Sequence, residues 1–286
     1  MTLPAEQPPA ATRTARATVP ALEARLGLPI PVLDHGFIRV VDYMGDDAAI
    51  VQAARVSYGA GTKSARDDAG LIRYLMRHWH STPFEMCELK LHVKLPVFVA
   101  RQWIRHRTAN VNEYSARYSI VPDRFYRPSI DNIRAQSKSN RQGGDAPVDV
   151  GTAEEFLRLL DEAESLYRKY IHLTEEGVAR ELARAALPVS VYTEWYWKCD
   201  LHNIFHFLSL RMDPHAQIEI QDYAKAMYRL IQPIVPVACE AFEDYRLNAM
   251  HLTSLEIEAI RSGKPINTTN KREAAEWEAK KARLGL

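Results

Sequence analysis

The stretch from Arg101 to Ser119 (RQWIRHRTANVNEYSARYS) constrains the chain more than any other. Between Arg101 and Arg117 lie four arginines and one histidine, against a single acid, Glu113. That much like charge destabilises a fold unless an anion joins it. Guanidinium forks match phosphate oxygens two at a time, and Asn112 and Ser115 add neutral donors. The run is neither lysine-rich nor repetitive, so it does not read as a polybasic tail. A solvated basic helix face is the alternative on charge alone.

The order of residues favours a site. Val97 to Ile104 is mostly apolar and follows Pro96, which suits a first helical turn. Arg101 and Arg105 are four apart and share a helix face. Thr108 to Asn112 breaks the apolar period and reads as a loop. Tyr114 to Ile120 alternates as a strand does, with Ser115, Arg117 and Ser119 on one side and Tyr114, Ala116, Tyr118 and Ile120 on the other. A helix end, a loop and a strand face would then converge on one anion.

Composition narrows the class. The chain has 286 residues, 47% of them hydrophobic, which suffices for a sizeable core. Its 37 Lys and Arg offset 36 Asp and Glu, a balance unlike that of a general nucleic-acid binder. A stacking interface built from Trp103, Tyr114 and Tyr118 beside the arginines stays open as an alternative. The three cysteines (Cys87, Cys199, Cys239) are far apart and lack a Cys-x-x-Cys pair, as expected in a reducing compartment without a disulfide framework. No apolar run approaches the ~20 residues of a membrane span, and the start lacks an apolar signal core, so a cytoplasmic protein without a membrane partner is expected.

Strands are expected at Phe37–Tyr43, Cys87–Val93 and Val189–Trp197. Helices are expected at Ala48–Val56 (capped by Asp46-Asp47), Ala65–Trp79 (capped by Ser64), Glu154–Glu176 (stopped by Gly177), Val178–Ala186, His215–Ile231 and Ala238–Leu247. Residues 131–150 read as a polar loop. Residues 1–30 read as a flexible extension, 31–252 as a single domain, and 253–286 as a charged tail that either forms a helix over Glu273–Arg283 or stays mobile. Two histidine pairs invite a metal reading. His78 and His80 sit near a helix end, where a dipole partner is the commoner role. His202 and His206 share a helix face, with Asp200 and His215 as further candidate zinc ligands, or else form a packed or solvated pair. A metal-dependent nucleotide hydrolase is therefore a competing reading, although no metal motif places a full ligand set, and none is assigned.

Arg105-His106-Arg107, seven residues, then Ser115 matches an Arg-His-Arg-x7-Ser signature, continued by Asn112-Glu113-x-Ser115-x-Arg117-Tyr118-Ser119. The pattern resembles the flavin-dependent thymidylate synthases over roughly residues 35–245. Two further segments agree: His80-x-Thr82-Pro83-Phe84-Glu85, and Arg211-x-x-x-His215-Ala216-Gln217-x-Glu219-Ile220. The resemblance implies a homotetramer of mixed α/β (α+β) subunits, each with an antiparallel or mixed sheet and flanking helices, its active sites shared between subunits and its catalytic domain spanning 31–252. It implies methylation of dUMP to dTMP with FAD as cofactor and with NADPH and methylenetetrahydrofolate as co-substrates. On this likeness Arg211 is catalytic and contacts the pyrimidine. Gln102, Trp103, Ile104, Arg105, Glu113, Tyr114, Ser115, Ala116, Arg117 and Arg184 would bind dUMP. Thr82, Arg105, His106, Arg107, Glu113, Asp200, Leu201, His202 and His206 would bind FAD, with His80 and Glu85 near the folate. Asp200, His202 and His206 depart from the Asn and Arg common at those positions, and Ala116 replaces a frequent Gly. No cysteine falls on a matched position, in keeping with chemistry that needs no enzyme thiolate. No Gly-x-Gly-x-x-Gly is present, so the flavin would lie in a groove built from separated segments.

Overall fold

The computed structural model describes residues 17–56, 68–121, 123–137 and 143–286. It divides into two compact units, Met1–Cys239 and Glu240–Leu286. In the first, α1 (Pro20–Glu23) leads to β1 (Ile30–Val32) and β2 (Gly36–Met44). Helices α2 (Asp47–Val56), α3 (Asp68–Arg77) and α4 (Thr82–Glu85) follow. Strand β3 (Glu88–Pro96) runs straight into α5 (Val97–Trp103), then β4 (Asn110–Glu113). After β5 (Arg134–Gln136) and β6 (Gly144–Pro147) come α6 (Val150–Glu175), α7 (Arg180–Ala183), β7 (Tyr192–Asp200), α8 (Leu201–Arg211) and α9 (Ile218–Ile231). Helix α10 (Pro236–Phe242) carries the chain into the second unit, which holds α11 (Ser254–Ser262) and α12 (Lys271–Leu284).

The main sheet has the order β1-β2-β3-β7-β4, and every pairing in it is antiparallel. The architecture is thus mixed α/β, with an antiparallel sheet and flanking helices. One face reads as core in period two: Leu89, Leu91, Val93 and Leu95 on β3, and Thr193, Trp195, Trp197 and Cys199 on β7. Helix α9 lays Ile220, Tyr223, Ala224 and Met227 into that core. The Tyr223 hydroxyl donates to the Lys94 carbonyl at 2.6 Å. Gly36 makes room for it: a Cβ there would lie 2.0 Å from that hydroxyl. Trp103, fully buried, sits between Trp195 and Trp197 at centroid distances of 5.8 and 5.6 Å and against Phe207 at 4.7 Å. This aromatic cluster fixes the end of α5 against β7 and α8.

Several expected boundaries move. The strand expected over Tyr114–Ile120 is a turn, and strand β4 lies at Asn110–Glu113, largely within the Thr108–Asn112 stretch read as a loop. The Tyr114 amide donates the last cross-strand bond, to Glu194 O at 2.8 Å. The Ser115 carbonyl then accepts from the Tyr118 and Ser119 amides at 3.1 and 3.2 Å, which curls the chain off the sheet. Local bonding of this kind competes with a ladder, whatever the side-chain alternation. The third expected strand starts at Tyr192 rather than Val189, and the 131–150 loop contains the antiparallel pair β5–β6. Asp46 does cap α2, accepting from the Ala49 amide at 3.0 Å, whereas the Ser64 cap lies outside the described residues. In the second unit Thr253 and Glu256 form a capping box, Lys280 donates to Glu256 at 2.7 Å, and Trp277 is buried. The charged tail is therefore a folded helical pair.

Candidate active site

Helix α5 ends because its last turn closes on itself: the Arg105 amide donates to Gln102 O at 3.3 Å and the His106 amide to Trp103 O at 3.0 Å. This turn aims His106 at the end of α8, where Arg211 Nε donates to His106 Nε2 at 2.9 Å. The imidazole must be neutral to accept that bond, so its proton sits on Nδ1. Burial first, then the charges of Arg211 and His206, push its pKa down to about 4. Burial also lowers the pKa of Arg211. The His206 ring approaches His106 at 6.0 Å, and Phe207 backs it at 4.9 Å. On the other side Gln102 Nε2 donates to Gln217 Oε1. One corner therefore gathers Gln102, His106, His206, Arg211 and Gln217.

A second group forms where β4 leaves the sheet. Glu113 Oε1 accepts from the Thr193 hydroxyl at 2.7 Å. The Arg117 amide donates to Ser115 Oγ at 3.4 Å, and the Arg117 guanidinium lies over the Tyr118 ring at 5.4 Å. Tyr114 donates to Ile120 O at 2.9 Å, while Ala116 packs on Val121, Phe125 and Val191. Arg180 donates to Tyr118 O at 3.0 Å, which draws α7 and the following Arg184 toward this turn. Arg184 Nε donates, among the described residues, to Glu181 O alone, at 3.2 Å. Among the described residues no side-chain hydrogen bond joins this group to the His106–Arg211 corner, and no acid pairs with Arg101, Arg105, Arg107, Arg117 or Arg184. Arg105, Arg107, Arg117 and Arg184 are exposed, as is Ile104.

Thr82 opens the short helix α4 at the rim of a cavity of about 590 Å³ lined by Ala53, Leu71, Tyr74, His80 and Met86 among others. The His78 and His80 rings both lie beside Tyr74, at 4.4 and 5.9 Å, in the tight turn that ends α3. That turn places Trp79 at a φ of 64°, a conformation an aromatic residue rarely adopts. Two expectations need correction at the side-chain level. Trp103 and Leu201 have no exposed surface in the chain, backbone included, so both belong to the core and neither presents a ligand surface in the single chain. Asp200 caps α8, accepting from the Asn203 amide at 2.9 Å and its Nδ2 at 2.7 Å. His202 lies half-buried on α8, one turn before His206. No group of three or more His, Cys, Asp or Glu placed to hold a metal occurs among the described residues, and no described helix is long and apolar enough to cross a membrane. Sequence reasoning missed two partners. Gln217 lay inside a motif already matched, whereas Thr193 carried no signal beyond its β-branched fit to a strand.

Residues 39–237 match the family model described as thymidylate synthase complementing protein. The chain is 61% identical over 263 residues to a flavin-dependent thymidylate synthase of Dictyostelium discoideum, covering 89% of this chain and 87% of that protein. It is 59% identical over 253 residues to the protein of the same description from Ruegeria pomeroyi, covering 87% and 84%. Among solved structures, a UMP/dUMP methylase, PolB, from Streptomyces cacaoi bound with 5-Br dUMP superposes with a TM-score of 0.68 at 34% identity, over 76% of this chain and 99% of that one.

Proposed function

The chain belongs to the flavin-dependent thymidylate synthase family, and from that premise we propose how its side chains divide the work. The activity is the reductive methylation of dUMP to dTMP, with FAD as cofactor and methylenetetrahydrofolate and NADPH as co-substrates. Bound flavin supplies the hydride, chemistry that lies beyond any side chain here. The residues suit such a group: an apolar cavity edged by the Thr82 hydroxyl offers room for a ring system, and the unpaired guanidiniums of Arg105 and Arg107 suit a pyrophosphate. His106, His206, Glu113, Asp200 and His202 complete the flavin surface.

Arg211 addresses the pyrimidine ring. A fixed, half-buried cation beside N3 stabilises the deprotonated ring and so favours its ionisation. His106 occupies Nε of Arg211, which leaves the two terminal nitrogens as a fork for the substrate. Arg105, Ser115, Arg117 and Arg184 hold the phosphate and sugar. Gln102, Glu113 and Tyr114 bond the nucleotide, with the chain at Ile104 and Ala116 closing around it. The active form is a homotetramer with each site shared between copies. What supports sharing is that, among the described residues, no side-chain hydrogen bond joins the His106–Arg211 corner to the Ser115–Arg117 turn, so the corner of one copy is free to work with the turn of another.

The observation that carries the reading is the set of guanidiniums with no acid partner among the described residues, beside the Arg211 cation and its neutral partner His106. The test is anaerobic. Purified protein is expected to show a flavin absorption spectrum, or to acquire one with added FAD, that bleaches with NADPH. It is then expected to turn over dUMP to dTMP when the folate is added, at a rate a chelator does not change. A colourless protein that takes up no FAD, or an activity lost with chelator, contradicts the reading.

A further inference from the structure

Strand β7 is apolar on its core face except at Thr193, which is only 9% exposed. A hydroxyl on such a face destabilises the fold unless it is bonded. Its bond goes to Glu113 Oε1 at 2.7 Å. The register explains the reach: Glu113 stands opposite Trp195, so Thr193, two residues along β7, is its diagonal neighbour on the same face. The Tyr114 amide donates to Glu194 O at 2.8 Å, after which the chain leaves the sheet. Glu113 is thus the last residue of a four-residue edge strand, pinned by one backbone bond just beyond it and by one hydroxyl. Among the described residues its second oxygen, Oε2, makes no hydrogen bond, and the side chain is exposed.

We propose that Thr193 is a positioning residue for nucleotide binding: its hydroxyl fixes one oxygen of the Glu113 carboxylate so that the other faces a hydrogen-bond donor of the nucleotide. An ionised carboxylate only accepts, so the group it meets is a donor, a sugar hydroxyl of the nucleotide. A fixed carboxylate loses less rotamer freedom on binding than a free one. The inference rests on the reading of Glu113 as a nucleotide ligand. It adds a residue that never touches the substrate.

The test is a double-mutant cycle on the full-length protein, with dUMP binding and steady-state kinetics measured for Thr193→Val, Thr193→Ser, Glu113→Ala and Glu113→Ala/Thr193→Val. The expected result is that Thr193→Val raises the KM and Kd for dUMP about tenfold, while Thr193→Ser stays within about threefold of the native protein. In the Glu113→Ala background Thr193→Val adds nothing, because the hydroxyl acts only through the missing carboxylate. If the valine variant does not fold, Thr193→Ala in both backgrounds reads the same coupling. An equal penalty in both backgrounds overturns the proposal and leaves the reading of Glu113 intact. A native-like Kd for Glu113→Ala overturns both.

Discussion

At the corner between α5 and α8, Arg211 and His106 satisfy one another and Gln102 pairs with Gln217; at the turn after β4, the guanidiniums of Arg117 and Arg184 end in solvent. The first region is built before any ligand arrives. Its cation is half-buried, its imidazole is held neutral, and Phe207 backs the ring. The second is shaped mainly by its backbone, through the Ser115 carbonyl and the Tyr114 amide, with Thr193 holding Glu113. The difference separates two tasks. Stabilising charge on a ring demands a preorganised group that does not rearrange during reaction. Gripping a dianionic phosphate demands free cations, whose mutual repulsion the ligand itself relieves.

Four experiments can break or sharpen this contrast. Arg211→Ala should have the largest effect, a loss of about 10³ in kcat/KM with dUMP still bound, in line with removal of one preorganised donor. Arg117→Ala and Arg105→Ala should each weaken dUMP binding by about 10²-fold, as expected for a charge-assisted bidentate contact. Their ligand-free melting temperature should hardly fall, because neither side chain pairs with an acid among the described residues and the exposed Arg117–Tyr118 contact contributes little. A drop in stability would show that these arginines have a structural role.

The third experiment uses pH. His106 has a folded pKa of about 4, against 6.5 for a free side chain. The folded state therefore resists the proton that the unfolded state takes up. Its contribution is fully present above pH 6.5 and is lost as pH falls from there to about 4. Half-exposed, the group should contribute about 1–2 kcal/mol over that window after solvent screening. His106→Gln should flatten that part of the stability profile while keeping an acceptor for Arg211, and histidine NMR should show His106 neutral at pH 5. An imidazole that titrates near pH 6.5 would count against the corner as described. The smallest effect is expected from inorganic phosphate. At about ten times its Kd it should raise the melting temperature by about 2–4 °C in the native protein, and by less in Arg117→Ala.

Much of the frame was legible from residue patterns. The alternation in β3, the apolar helix that follows Pro96, and the 3.6-residue period of α6 and α9 all follow local rules that tertiary structure did not override. The Tyr114–Ile120 segment misled because its alternation is real, yet the Ser115 carbonyl and hydroxyl bond locally and end the ladder. Trp103 sits among the site residues in sequence but belongs to the core, since α5 is only seven residues long and its apolar face must meet β7. The second unit was harder to see because few of its residues after Phe242 are buried, chiefly Ala259, Trp277 and the paired Glu256, though Thr253-x-x-Glu256 is a readable capping box. Neither the Arg211–His106 bond nor the Thr193–Glu113 bond has a signal along the chain, because each joins residues that only the fold brings together.

The claim that organises the rest is that one copy's α5–α8 corner works with another copy's β4 turn, and subunit complementation tests it most directly. Arg211→Ala and Arg117→Ala chains, each inactive alone, would be co-expressed with different tags and the doubly tagged oligomer purified. The account predicts that dTMP formation returns in the mixed oligomer, because some of its sites pair an intact corner with an intact turn. A mixed oligomer as inactive as either parent would contradict it, and would mean that both groups serve a site within a single chain.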